Sequence, residues 1–135
     1  MIEKHLVIYP SGKLAWAELE WAPRHDEVYE GRPGLDLKDL YRIIGCDCVE
    51  QVRTIIPGIV LVVDESGKIK PIPQPLNPIA SKLYAGTAHG DPIVGPAVAF
   101  SLRPTEPYGE MDWFPLSASD EAKLSLFLGV QLPDK

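Results

Sequence analysis

The chain predicts an α+β fold, a mostly antiparallel sheet with two or three helices packed on one face. Three observations lead there. Several short runs are β-rich, one of them (residues 14–21) alternating with a period of two, separate stretches carry the helical period, and the strand-like runs follow one another instead of alternating with helices. With 135 residues, 45% hydrophobic and 24% charged, the composition is that of a single globular domain. A chain of that length buries roughly two thirds of its unfolded surface around one core.

Residues 4–9 (KHLVIY) and 14–21 (LAWAELEW) flank the turn signal Pro10-Ser11-Gly12-Lys13. In the second run Leu14, Trp16, Glu18 and Glu20 alternate with Ala15, Ala17, Leu19 and Trp21, which predicts a β-hairpin with one buried and one wetter face. Residues 22–34 (APRHDEVYEGRPG) carry two prolines and two glycines without a sustained period and read as a surface loop. Asp36 is a good N-cap; Leu37, Leu40, Tyr41 and Ile44 then recur at helical spacing until Gly45 stops the pattern.

Residues 46–55 and 59–64 are β-rich runs joined at Pro57-Gly58, and Glu65-Ser66-Gly67-Lys68 is a second turn leading to residues 69–72. Together they predict a three-strand meander whose last strand is kept short by Pro71 and Pro73. Asn77-Pro78 opens a helix that should run through Ile79, Leu83 and Tyr84 and end before Gly86. A loop over 87–92 (TAHGDP) leads to a strand over 93–102 (IVGPAVAFSL), broken by its Gly-Pro step, and residues 103–115 are Pro-rich and irregular. Ser117 to Asp120 fits a capping box with Asp in place of Glu or Gln, and Ala122, Leu124, Phe127 and Leu128 continue a final helix up to Gly129.

Thirteen Lys and Arg against nineteen Asp and Glu leave a net charge of −6, with no basic run. Extended nucleic acid is thereby a poor partner, since its affinity comes mainly from neutralised phosphates. A small anion held by one or two placed Arg residues stays open. The longest apolar stretch, residues 55–63, is interrupted by Pro57 and Gly58 and falls far short of the ~20 residues of a membrane span. The beginning MIEKHLVIYPSGK does not read as a signal peptide, so a cytoplasmic location is expected. Cys46 and Cys48, two apart on an expected strand, point to opposite faces and do not pair. A lone CxC, and His5, His25 and His89 without ligand spacing, give no metal site; GxGxxG and GxxxxGK are missing, so no cofactor is called for.

The blocks LKDLYRIIGCDCVEQV, IVLVVDESGKIKPIP, LNPIASKLY and HGDPIVGPAVAF, within residues 37–100, resemble a family of small proteins of unknown function carried by phages, plasmids and their bacterial hosts. The shared pattern is a helix ending in Gly, a strand with an acidic residue, a vDEsGK hairpin, an N-P-x-A helix start and a D-P-I-V-G strand start. The resemblance covers about half of the chain and leaves the N-terminal hairpin and the last third unaccounted for; the whole chain reads as one domain over residues 1–135, with an N-terminal hairpin (1–21), a surface loop (22–34), a family-like core (37–102), and an irregular segment with a C-terminal helix (103–135). By size and layout alone it also invites analogy with the Thoeris anti-defence proteins, which sequester cyclic nucleotide signals of bacterial immunity.

Candidate site residues follow from chemistry. Asn77 at a helix start, Arg53 and Arg103 suit phosphate; Asp91 and His89 suit ribose hydroxyls; Tyr84 suits a base. Each has a bland counterpart: a helix cap for Asn77, a turn opener for Asp91, solvated surface for the arginines and core packing for Tyr84. Trp113-Phe114, side by side in an irregular stretch, suits a pocket cover or a partner contact. The expected function is non-catalytic capture of a small nucleotide-derived immune signal, a cyclic ADP-ribose isomer or cyclic oligonucleotide, by a homo-oligomer inside a bacterial host. A protein–protein inhibitor of a host enzyme is the alternative, and a small enzyme using His89 and Asp91 the third.

Overall fold

The computed structural model describes residues 1–23, 33–84, 91–105 and 110–135. Among them the chain forms β1 (Ile2–Ile8), β2 (Leu14–Pro23), β3 (Pro33–Leu35), α1 (Leu37–Ile44), β4 (Val49–Arg53), β5 (Ile59–Asp64), α2 (Pro78–Leu83), β6 (Ala97–Thr105), β7 (Glu110–Phe114) and α3 (Ala118–Leu128). All described strand pairs are antiparallel, in the order β3-β2-β1-β6-β5-β4, and β7 also pairs with β6. The α+β class with an antiparallel sheet is therefore present.

The alternation in the first hairpin does what a period of two dictates. Its register sets Leu6 opposite Trp16 and Ile8 opposite Leu14, and the turn is closed by Gly12 at φ +91°. Leu6 and Ile8 then join Leu61, Val63, Ala97 and Ala99 on one face of the sheet, beneath Ala80 and Leu83 of α2 and Leu124 of α3. Val7, Leu19, Trp21, Val60, Val62, Val98 and Phe100 line the other face, against Leu40 and Ile44 of α1. Two helices share one face, as the sequence implies, while α1 takes the opposite one. With both faces covered, all six residues of β5 are buried, which is why IVLVVD reads as a continuous apolar run up to its final Asp.

The helices begin and end on the residues that their capping chemistry requires. The side chains of Asp36, Asn77 and Ser117 accept from the Lys38, Ala80 and Asp120 amides, and Gly45 and Gly129 close α1 and α3 in the left-handed region. Asp120 does not complete a capping box; its carboxylate accepts from the Ser101 hydroxyl and ties α3 to β6.

Four expectations are corrected. Residues 69–72 form no strand: Pro71 and Pro73 cannot donate to a ladder, and Ile69 and Ile72 stand 83% and 86% exposed. The segment is held instead by Lys70 pairing with Asp64, and by Gln74, whose side-chain amide donates to the Ile44 carbonyl at 2.9 Å. The described residues of the stretch 103–115 are largely strand, since β6 runs on to Thr105 and β7 pairs with it, Trp113 opposite Leu102. Cys46 and Cys48 precede β4 instead of lying on it; both thiols are free, and Cys48 donates to Glu65 at 2.5 Å. The expected loop at 22–34 begins inside β2 and ends inside β3, and its middle lies outside the described residues.

β1 and β7 lie along the same edge of β6, and β5 takes the other edge. Because β1 pairs with β6 only at Val7 and Ile8, its first residues lean away and leave a notch beside β7. No helix among the described residues is long and apolar enough to cross a membrane.

Candidate functional site

Of the six residues singled out from sequence, the five that are described do not gather into one site. Asn77 is fully buried, and its side chain is engaged on all sides: the amide donates to the Ile8 and Gly95 carbonyls, both at 2.8 Å, and Oδ1 accepts from the Ala80 amide at 3.1 Å. It links β1, α2 and the approach to β6, and offers nothing to a ligand. Arg53 stands opposite Val60, on the α1 face; Arg103 follows Ser101 in the alternation and belongs to the α2–α3 face. The Arg103 guanidinium lies 4.6 Å from the centre of the Phe114 ring. His89 lies outside the described residues.

Tyr84 and Asp91 do meet, in a cavity of about 310 Å³ also walled by Val52, Ile93, Glu50 and Lys68. Asp91 is paired with Lys68. The wall is acidic: Asp64 and Glu65 also line it, and burial together with the Glu65 carboxylate pushes the Glu50 carboxyl above its ordinary pKa, against a smaller opposing pull from Lys68. A phosphate would meet four carboxylates there and one paired ammonium, so this cavity is a poor anion site.

The notch between β1 and β7 has a different character. Its volume is about 320 Å³, and its walls are Trp21, Trp113, Phe114, Pro115 and Met1, with carboxylates from Glu3 and Asp112. The indoles are fixed from behind. Trp113 stacks on Phe100 at 5.1 Å and 22°, and its Nε1 donates to Oε1 of Gln51 at 2.6 Å, across the curl of the sheet. Trp21 meets Phe100 edge to face at 6.5 Å, and its Nε1 donates to Nε2 of His5 at 2.9 Å. Rings held by both packing and a hydrogen bond lose little freedom when a flat molecule is laid against them.

His5 is the polar member of this aromatic row, 4.9 Å from Phe100 and 5.6 Å from Trp21 between ring centres. Indole nitrogen can only donate, so Nε2 accepts and the single proton of the neutral imidazole sits on Nδ1. That atom is buried without a hydrogen-bond partner in the structure. Burial, reinforced by the positive charge of Lys135, lowers the His5 pKa to about 4. The ring is thus a neutral structural support for Trp21 near neutral pH.

Sequence reasoning marked Trp113-Phe114 as a pocket cover or partner contact, and both line the notch. It weighed Trp21 as a base stacker but gave it to core packing, and it missed Glu3 and His5. The only signal available for them was their shared phase on β1, which says that they share a face but not what they face. Among the described residues no three His, Cys, Asp or Glu side chains converge on a point that could hold a metal ion.

No curated protein and no solved structure is significantly similar to this chain. The profile of a domain of unknown function, DUF3846, matches residues 6–109, which takes in the first hairpin as well as the central blocks. That is well over half of the chain, and the protein belongs to the DUF3846 family.

Proposed function

We propose that this protein is a non-catalytic binder that sequesters a small nucleotide-derived signal, with the base held in the notch between β1 and β7. The observation that carries the reading is the pair of indoles pinned by Gln51 and His5, facing a cavity of about 320 Å³. That volume is at the low end for ligand pockets and takes a base, with ribose and phosphates extending outwards. Arg103 does not line the notch but stacks on Phe114, which does, and is the proposed phosphate partner. The sequence resemblance to phage- and plasmid-borne proteins supports a setting in which such capture counteracts host defence, the signal being a cyclic ADP-ribose isomer or cyclic oligonucleotide. A homo-oligomer belongs to the same proposal, and light scattering that returns 14.9 kDa at micromolar concentration would remove that part.

The test is calorimetry against cyclic mono- and dinucleotides and cyclic ADP-ribose isomers. At least one should bind, and Trp113→Ala should weaken it by about 1 to 3 kcal/mol, the usual worth of a stacked base. If nothing on the panel binds, or the variant binds as well as the parent, the reading is lost. A second reading, inhibition of a host protein, is favoured by Ile69 and Ile72, which project from a loop tied down at Lys70 and Gln74. A stable complex with a host enzyme that Ile72→Ser abolishes would establish it.

A further inference from the structure

We propose that the notch selects guanine among the bases, with the Glu3 carboxylate as its reader. The inference rests on the notch being a base site, and names which base it takes. Glu3 is on β1 in phase with His5 and Val7, lines the notch beside Trp21, and is partly buried. Among the described residues its carboxylate makes no hydrogen bond or ion pair, whereas the second carboxylate, Asp112, already accepts the Trp113 amide at 2.8 Å. A carboxylate at pH 7 only accepts, and it accepts best from two parallel N–H groups.

The base edges differ in that respect. Guanine presents N1–H and the N2 amine side by side, two donors in one plane that match two carboxylate oxygens. Adenine and cytosine each set their amine beside an unprotonated ring nitrogen, which repels the second oxygen. Uracil flanks its one N–H with two carbonyls, and hypoxanthine has N1–H without the amine. Aromatic walls accept any base, because all bases have a π-face, so the discrimination falls to the acceptor at the rim. Leaving half of a charged, partly desolvated pair unmatched is the kind of mismatch that binding sites reject strongly.

The experiment is tryptophan-fluorescence titration with guanosine, inosine, adenosine, cytidine and uridine, up to about 1 mM, of the parent protein and of Glu3→Gln. Guanosine should bind roughly 10- to 100-fold more tightly than adenosine, with inosine between them. In Glu3→Gln the amide offers one acceptor and one donor, the pattern that complements adenine, so the preference should fall by at least about tenfold and move towards adenosine. A structural role for Glu3 would weaken all five nucleosides together and would not exchange the preference. Equal binding of guanosine and adenosine, or a uniform loss in Glu3→Gln, overturns the inference while leaving the base site standing. No binding by any nucleoside overturns both. Displacement of bound guanosine by tetramethylammonium would show instead a cage for cations, which the same aromatic and acidic walls could form, and would also overturn it.

Discussion

Replacing Asn77 by Ala tests whether this residue holds the fold together, as its contacts imply. The side chain is fully buried and its removal leaves the Ile8 and Gly95 carbonyls each short of a donor, and the first turn of α2 without its cap. A buried group deprived of its partner costs about 1 to 3 kcal/mol, and a lost N-cap about 1. Allowing for relaxation, the expected loss is about 3 to 5 kcal/mol, a large share of the 5 to 15 kcal/mol typical of a domain. In urea, with a slope of about 1.5 kcal/mol per molar, the midpoint should fall by about 2 to 3 M with the slope unchanged. Asn77→Asp is the sharper variant, because it keeps the capping oxygen but sets a carboxylate against two carbonyls. It should be at least as unstable as the Ala variant at pH 7 and should recover partly in mild acid, where the protonated carboxyl can donate to one of them. A loss below about 1 kcal/mol in Asn77→Ala would refute the reasoning, since no arrangement with two deprived carbonyls is that cheap.

Two further outcomes follow from the titrating groups. His5 is held neutral with its pKa at about 4 against 6.5 in the unfolded chain, so between those values the unfolded state binds more protons. Stability should therefore fall as pH drops from 6.5 to 4, by roughly 3 kcal/mol at 1.36 kcal/mol per pH unit, and His5→Phe should remove that part of the slope; urea melts that give parent and variant the same slope would contradict it. At Cys48 the hydrogen bond to Glu65 pushes the thiol pKa up, which leaves less thiolate at neutral pH, so Glu65→Gln should speed its reaction with a disulfide reagent; an unchanged rate means that the contact does not persist in solution.

What was legible in the sequence was what a few neighbouring residues decide. Asp36, Asn77 and Ser117 are caps in the chain and caps in the fold, and the runs 4–9 and 14–21 on either side of the Pro10–Lys13 turn signal became β1 and β2. The errors came where local pattern and long-range pairing disagree. Residues 69–72 follow a turn signal, as a third strand of a meander would, but have prolines where donors would be needed. Residues 110–114 are surrounded by prolines and still form a strand, because β6 is there to pair with them. The sites divide in the same way. Arg53 and Arg103 look alike in sequence, and only the register of β4 and β6 puts them on opposite faces. Glu3 and Trp113 are far apart in the chain, and they meet because β1 and β7 share an edge of β6.

That shared strand also sets the order in which the molecule can assemble. β6 is the neighbour of β1, β5 and β7 alike, and its pairing of Val98 with Val7 joins residues from near the two ends of the family-matched region. Until β6 is in place, the β1–β2 and β4–β5 hairpins are two separate ribbons, and ribbons of that size are only marginally stable in water. Productive folding must therefore wait for a contact of high sequence separation, as in sandwich proteins that refold in milliseconds to seconds. During synthesis the β1–β2 hairpin leaves the ribosome long before β6, the second neighbour of β1, so the interval before β6 emerges is when this protein is most exposed to aggregation and most in need of a chaperone.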